Sequence, residues 1–311
     1  MADKLEQAVA KYFSELVQKR SLGAGQPERS YYPILADLLN AIGADLRPPV
    51  LCLSELEDTG AGHPDFGLFT RSQCQRGEPR SGQRPERGVI EVKSVGDDAW
   101  LTAGTAQVSR YWNAYRLVLV TNYRDFLLIG EDQAGQAAKL EGYRIADGER
   151  AFWACAATPQ KTARTIGKAF AEYLKRALTQ SVALREPKDV AWFLASYARD
   201  ALQRVEDAGA LPALATVRKA LEEALGVEFE GEMGDHFFRS TLVQTLFYGV
   251  FSAWVLWARQ GLQPSKETFE WRTAVWHLKV PMLRALFQQL ADPGRLEPLR
   301  LVEVLNWTAR R

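Results

Sequence analysis

The chain has 311 residues, of which 47% are hydrophobic and 25% are charged, and its formal net charge is +1. This balance is typical of a folded globular protein, excludes disordered and fibrous classes, and leaves room for two ordinary domains. Because the total charge is near zero, any surface for a polyanion must come from a local excess of basic residues.

The amino terminus, MADKLEQAVAKYFSELVQKR, carries charges throughout and lacks the apolar core of a signal peptide. Apolar residues at helical spacing predict helices over Lys4 to Lys19 and Tyr31 to Ile42, joined by a turn-rich segment. The cysteines Cys52, Cys74 and Cys155 show no CxxC spacing, which fits a reducing compartment. We therefore expect a cytoplasmic protein whose fold opens with two helices.

Short β-type apolar segments follow these helices. Asp97 and Asp98 are N-cap candidates for a helix carrying Ala106 to Tyr115, which would lie between the third and fourth strands. The predicted strands are Pro49 to Leu53, Asp65 to Thr70, Gly88 to Ser94, Leu117 to Thr121 and Phe126 to Ile129. The order is that of a mixed sheet flanked by helices.

From about Pro159 onward the pattern is almost entirely helical, which predicts a first domain over 1–158 and an all-α domain over 159–311. The predicted helices of the second domain are Lys161 to Ser181, Asp189 to Ala208, Pro212 to Leu225, Met233 to Gln260 and Trp271 to Leu290. The apolar run from Thr241 to Ala258 contains Gln244 and Ser252 and barely reaches a bilayer-spanning length. We interpret it as a buried helix and expect no membrane association.

The segment from Thr70 to Gly88 contains almost no apolar residue and cannot form a core. We predict a long, mobile, basic loop, which is either a tolerated surface insertion or an arm that contacts DNA. Its candidate DNA contacts are Arg71, Arg76, Arg80, Arg84 and Arg87.

Acidic and basic residues stand inside two of the predicted strands. GHPDFGLF places Asp65 at the start of a strand, and VIEVKS places Glu91 and Lys93 inside another. Residues two apart on a strand point to the same face, so Glu91 and Lys93 project together. Two carboxylates and a lysine on paired strands could bind Mg²⁺ and assist hydrolysis of a phosphodiester. ExK is also a common ion pair on helix surfaces, but these charges lie in an apolar strand.

This arrangement resembles the PD-(D/E)XK nuclease superfamily, with Pro64 and Asp65 as the PD and Glu91, Val92 and Lys93 as the EVK. The resemblance implies a restriction-endonuclease-like α/β (α+β) core, Mg²⁺ as cofactor with Mn²⁺ as a substitute, and double-stranded DNA as substrate. Asp65 and Glu91 would bind the metal, and Lys93 would orient the attacking water or offset phosphate charge.

Three further positions agree with the resemblance. Gln107 and Tyr111 share a helix face and match the QxxxY element of some restriction nucleases, although half-buried polar residues are common on amphipathic helices. Glu28 stands where such nucleases carry an acidic residue directed at the metal, although glutamate also suits a first helical turn. His63 is a structural or phosphate-contacting residue rather than a ligand, because Mg²⁺ does not favour imidazole.

The stretches RLVLVTNYRDFLLIG and HFFRSTLVQTLFYGVFSAWVLWARQG are similar to the end of the nuclease domain and the helical connector of type IIG and type ISP restriction-modification enzymes. The resemblance implies a longer chain that also holds methyltransferase and target-recognition regions. The present sequence has no NPPY, glycine-rich S-adenosylmethionine or P-loop motif, so we expect no S-adenosylmethionine or ATP site. Cleavage of two strands also predicts a transient dimer on DNA.

Two other function classes remain open. A catalytically inactive nuclease fold could serve as a DNA-binding or assembly module through its arginines and helical half. A purely structural helical scaffold would leave Glu91 and Lys93 in an apolar strand without purpose. The complete set of Asp65, ExK and QxxxY favours the endonuclease.

Overall fold

A computed structural model describes residues 2–23, 28–54, 56, 60–132, 134–184, 186–209, 211–260 and 269–310. The chain divides into two compact units, Met1–Ala183 and Leu184–Arg311. The first unit contains the strands, and the described elements of the second are all helices. The expectation of a mixed sheet flanked by helices and followed by a helical region is confirmed at this level.

The helices of the first unit begin with two that precede the sheet and end with two that follow it. They are α1 Ala2–Ser21, α2 Tyr32–Gly43, α3 Ala99–Ala103, α4 Ala106–Tyr115, α5 Glu149–Ala156 and α6 Pro159–Thr179. The strands are β1 Val50–Ser54, β2 Phe66–Thr70, β3 Cys74–Gln75, β4 Glu78–Pro79, β5 Val89–Val92, β6 Val118–Thr121, β7 Asp125–Glu131 and β8 Ala137–Arg144.

The main sheet has six strands in the order β1-β2-β5-β6-β7-β8. Strands β5 and β6 are parallel, and the other neighbouring pairs are antiparallel. The parallel pair needs a crossover connection, which α3 and α4 provide. These two helices lie where a single helix capped by Asp97 or Asp98 was predicted: Asp98 caps α3, and Thr105 caps α4.

The two faces of the sheet pack against different helices. Ile90 and Val92 belong to the larger core, together with apolar residues of α1, α2 and α6. Val89, Val118 and Val120 belong to a smaller core with apolar residues of α4. Alternation along β5 therefore determines which helix faces each of its side chains.

Helix α6 belongs to the first unit, so the predicted boundary at 158/159 lies too early. Its buried face packs against α1, and the Tyr173 hydroxyl donates a hydrogen bond of 3.0 Å to the Phe126 carbonyl. Arg176 forms an ion pair with Glu141 of β8, and both side chains are almost completely buried. Periodicity identified the helix but carried no information about which core its apolar face joins.

The segment between β2 and β5 contains secondary structure that the sequence did not predict. Residues Arg71–Gln73 form a 3₁₀ turn, and β3 and β4 form a short hairpin. Hydrogen bonds between side chains and the main chain hold this segment, and such bonds leave no apolar pattern in the sequence. Strand β8 and helix α5 were also not predicted from the sequence.

The second unit consists of packed helices of unequal length. They are α7 Pro187–Asp207, α8 Pro212–Leu225, α9 Gly231–Gln260, α10 Ala274–His277, α11 Pro281–Leu290, α12 Pro293–Leu296 and α13 Leu301–Arg310. The helix predicted over Trp271 to Leu290 is interrupted before Pro281, which begins α11. By length and composition alone, Gly231–Arg259 is apolar enough to cross a membrane. Its Leu242, Leu246 and Val250 pack into the core of this unit, which supports the interpretation as a core helix.

Candidate active site

The ExK strand presents its charged residues on the α4 face of the sheet. Glu91 shares this face with Val89, because the intervening Ile90 points to the opposite core. The backbone N–H of Lys93 donates a 2.8 Å hydrogen bond to the Thr121 carbonyl, which extends the pairing with β6 by one residue. Glu91 and Lys93 are therefore held on a central strand bordered by β2 and β6.

Asp65 lies immediately before β2 and is bound to the ExK strand itself. Its Oδ2 accepts a hydrogen bond of 2.7 Å from the backbone N–H of Val92, the residue between Glu91 and Lys93. Its Oδ1 accepts a hydrogen bond of 2.5 Å from the hydroxyl of Tyr32 at the start of α2. Both oxygens are thus oriented by donors from other elements, which restricts the side chain to one rotamer.

Glu91 is a buried carboxylate, with 2% of its side chain exposed. Its Oε1 lies 2.6 Å from Nζ of Lys93, whose side chain is 32% exposed. Burying a carboxylate costs several kcal/mol unless a cation and hydrogen bonds compensate for the lost water. Lys93 supplies that cation, and its side chain remains partly exposed. The ion pair can therefore be reached from solvent.

Gln107 and Tyr111 lie beside this pair, on the face of α4 that packs on the sheet. Nε2 of Gln107 donates a 3.0 Å hydrogen bond to the Tyr111 hydroxyl. Burial raises the pKa of Tyr111, the hydrogen bond from Gln107 lowers it, and the charges of Glu91 and Asp65 raise it further. Tyr111 is therefore hydrogen-bonded to Gln107 and within electrostatic range of Glu91 and Asp65, and Lys93 is paired with Glu91.

The loop before Asp65 completes this neighbourhood. A Cβ at Gly62 would lie 3.6 Å from the Tyr111 ring, so this loop runs directly past the tyrosine. His63 is exposed, and its Nδ1 lies 3.4 Å from the Leu56 carbonyl. An open cleft of about 520 Å³ follows the same loop and is lined by Arg29, Tyr32, Pro33, Ser54, Leu56, His63, Pro64 and Asp65.

The arginines predicted to contact DNA do not share one environment. Arg71, Arg76, Arg80 and Arg84 are exposed. Arg87 is buried: it donates a 3.3 Å hydrogen bond to the Ser181 hydroxyl, and burial lowers its pKa. Arg87 thus fixes the base of the hairpin segment and is not accessible to DNA. The prediction for Glu28 falls on a side chain outside the described residues.

A divalent cation such as Mg²⁺ needs oxygen ligands, which carboxylates can supply. Among the residues that the structure describes, no three His, Cys, Asp or Glu side chains cluster as a metal site. Asp65 and Glu91 nevertheless supply two carboxylates on adjacent strands, one of them almost fully buried. Mg²⁺ is commonly held by one or two carboxylates, with waters and substrate oxygens completing the octahedron. The residues present fit that mode rather than a closed cage of protein ligands.

Two polar residues, one at the site and one directly after β6, were not identified from the sequence. Tyr32 is 33 positions from the carboxylate it contacts, and nothing in the local pattern YYPIL signals such a bond. Asn122, at the end of β6, is fully buried and donates a 2.8 Å hydrogen bond to the Asp97 carbonyl. A polar residue directly after a buried strand was the available signal for Asn122, because such a side chain needs a partner.

Comparisons with known proteins add little to this geometry. No family model matches the chain, and no curated protein matches it. A solved structure described as "cryoEM structure DrdV-DNA complex" contains a chain that is similar with a TM-score of 0.34 and 13% sequence identity. The match covers 98% of the present chain and 26% of the other, so this chain spans about a quarter of that protein's length. So loose a likeness assigns neither a fold nor a family.

Proposed function

We propose that this chain is a Mg²⁺-dependent DNA endonuclease module whose catalytic core is Asp65, Glu91 and Lys93. The observation that carries the proposal is the hydrogen bond from the Val92 backbone to the Asp65 carboxylate. It joins two sequence segments that have no local reason to meet, at the point where a nuclease of the PD-(D/E)XK type needs them together. A chance pair of short motifs would not be expected to converge in this way.

Each residue of the core has a task that its surroundings support. A bound Mg²⁺ would lower the pKa of a bound water and neutralise charge on the phosphate. Asp65 offers oxygens already oriented by Tyr32 and Val92, so little ordering is needed when a cation binds. Glu91 offers a carboxylate in a site of low dielectric, where its attraction for a cation is strong.

Lys93 holds its ammonium group against Glu91 and remains reachable from solvent. In this position it can donate a hydrogen bond to the attacking water or to a phosphate oxygen. Gln107 and Tyr111 form a hydrogen-bonded pair on the neighbouring helix. Tyr111 keeps its proton at neutral pH, as an ordinary tyrosine does, and can serve as a hydrogen-bond donor that positions the DNA backbone.

The finer assignment rests on the resemblance of the sequence to type IIG and type ISP enzymes. In that assignment the helical second unit is the connector, and Mn²⁺ can replace Mg²⁺. Double-stranded DNA is the substrate, methyltransferase and target-recognition regions belong to a longer protein, and two copies meet transiently on DNA.

The rival function is a DNA-binding or assembly module without catalysis. The Glu91 and Lys93 ion pair is compatible with it, because a buried carboxylate paired with a lysine is also a stable structural arrangement. The bond between Asp65 and Val92 favours the nuclease, since a purely structural pair would not require a second oriented carboxylate beside it.

The test is conversion of supercoiled plasmid to nicked and linear forms with Mg²⁺ or Mn²⁺. Asp65→Asn and Glu91→Gln keep the shape of each side chain and remove its charge, so both should abolish cleavage while circular dichroism and melting remain close to those of the wild type. Asp45→Asn, at a partly exposed carboxylate paired with Lys4, is the matched control and should cut normally. Metal-dependent cutting that persists in both site variants would overturn the proposal.

A further inference from the structure

The hairpin segment that connects β2 to β5, residues 71–87, carries a local excess of positive charge. It contains five arginines and two glutamates, whereas the chain as a whole is nearly neutral. The segment therefore has a net charge of +3, and the rest of the chain has a net charge of −2. Arg71, Arg76, Arg80 and Arg84 are exposed, and among the described residues none of them forms an ion pair.

The hairpin segment holds these arginines on a braced backbone. Oε1 of Gln73 accepts hydrogen bonds from the backbone N–H groups of Thr70 at 3.1 Å and Glu86 at 3.2 Å. Nε2 of the same side chain donates to the Arg84 carbonyl at 2.7 Å. At the base, the Arg87 backbone N–H donates to the Leu68 carbonyl at 2.9 Å. One glutamine thus ties both ends of the segment together, so little conformational entropy is lost on binding.

The tip of the hairpin carries an arginine where the backbone favours other residues. Arg76 and Gly77 form the two-residue turn between β3 and β4, with φ of +55° and +90°. Turns with two positive φ angles favour Asn-Gly or Gly-Gly, because a larger side chain is strained in the left-handed region. Strain of this kind is found at functional positions, and the strained residue here is an exposed arginine.

We infer that the hairpin segment is a docking surface for the phosphate backbone of double-stranded DNA, with Arg76 at its tip. Arginine donates planar paired hydrogen bonds that match phosphate oxygens. The choice of DNA as the polyanion rests on the proposed nuclease function. Strand β2 separates Asp65 from the segment by five residues, or roughly 17 Å of extended chain, which corresponds to about five base-pair steps. A duplex cleaved at Asp65 is long enough to reach the hairpin.

The experiment measures binding rather than cleavage, using the full chain, a fluorescent duplex of about 30 base pairs and EDTA. The affinity is recorded at a series of salt concentrations for wild type, Arg80→Gln/Arg84→Gln and the control Arg150→Gln/Arg164→Gln, which removes the same charge from exposed helix positions of the same unit. Each lost phosphate contact reduces the slope of log affinity against log salt by about 0.9. The hairpin pair should therefore lose about 1.8, and the control pair should keep the wild-type slope.

A second variant distinguishes the loss of a DNA contact from a loss of stability. Arg76→Asn gives the turn its favoured residue, so its melting temperature should equal or exceed that of the wild type while its DNA affinity falls several-fold. The docking surface would be overturned if the two double variants had equal slopes of log affinity against log salt. Unchanged DNA affinity in Arg76→Asn would also overturn it. Tighter binding of an RNA duplex than of DNA at the same salt would overturn the choice of DNA.

The two proposals can fail independently. A hairpin-dependent salt slope without any plasmid cleavage would retain the docking surface and remove the nuclease. Cleavage that depends on Asp65 and shows no hairpin-dependent slope would do the reverse.

Discussion

Oδ2 of Asp65 and the backbone N–H of Val92 are 2.7 Å apart although 27 residues separate them in the chain. This bond holds Asp65 beside the ExK strand, because Val92 stands between Glu91 and Lys93. The other oxygen of Asp65 accepts a hydrogen bond from the Tyr32 hydroxyl. Only proline would remove the main-chain donor, and it would also disrupt the central strand. The Tyr32 hydroxyl can be removed without that disruption, so it is the better probe of how Asp65 is oriented.

Removing the Tyr32 hydroxyl should weaken catalysis without abolishing it. In Tyr32→Phe, Asp65 keeps its carboxylate but loses a hydrogen bond to a charged group, which is worth about 1.5–3 kcal/mol. We expect cleavage to slow by about tenfold or more and the Mg²⁺ concentration for half-maximal rate to rise. Tyr31→Phe, on the neighbouring ring that packs against Tyr123, is the control and should cut as the wild type. An unchanged metal dependence in Tyr32→Phe would show that the hydroxyl does not orient the carboxylate.

The ExK strand depends on a glycine at its entry. Gly88 has φ of +94°, and a Cβ there would lie 2.5 Å from the Leu117 carbonyl oxygen, which accepts the Val89 N–H. Strain and clash together should cost Gly88→Ala about 3 kcal/mol in the free energy of unfolding. Gly82, with φ of +76° and open space around it, is the matched control, and Gly82→Ala should cost about 1 kcal/mol. Denaturant unfolding with equal losses in both variants would contradict the close approach at Gly88.

The buried ion pair between Glu141 and Arg176 should behave as a unit. Nε of Arg176 lies 2.7 Å from Oε1 of Glu141. Arg176→Met leaves an uncompensated buried carboxylate and should cost about 3–5 kcal/mol, whereas the double change with Glu141→Leu should restore most of that loss. A double-mutant cycle by chemical denaturation measures this coupling. Additive losses would mean that the two charges are solvated independently.

The raised pKa of Tyr111 predicts how the first unit responds to alkaline pH. The folded protein retains the phenolic proton above the pH, about 10, at which an unfolded tyrosine loses it. Stability is therefore fully present below that pH and is lost as pH rises toward the folded pKa. Tyr111→Phe should lose less stability between pH 9 and about 11 than the wild type, as measured by unfolding at each pH. A steeper loss in the variant would contradict the direction of the shift.

Local patterns were sufficient for the elements that position the site. The helices before the sheet, the ExK strand and the Gln107 to Tyr111 face each follow a clear period, and the structure contains them. Those patterns carry no information about which elements pack together in the tertiary structure. Tyr32 contacts Asp65 because α2 packs against β1 and places the Tyr32 ring 5.0 Å from that of Phe66 in β2. Helix α6 joins the first unit because its apolar face meets α1.

The elements that were missed share a physical cause. The hairpin segment is ordered by the hydrogen bonds of Gln73, which leave no apolar signature in the sequence. Strand β8, AAKLEGYR, lies at the sheet edge and buries only Leu140 and Glu141, so its alternation is weak. The burial of Glu141 becomes intelligible only with its partner Arg176 from α6.

The most direct test of the central claim compares plasmid cleavage by the wild type, Lys93→Ala and Lys168→Ala, with Mg²⁺ and with EDTA. Lys168 is an exposed lysine on α6 of the same unit and controls for the loss of one positive charge. The proposal predicts metal-dependent nicking and linearisation by the wild type and Lys168→Ala, and none by a folded Lys93→Ala. Undiminished metal-dependent cutting by Lys93→Ala would contradict it.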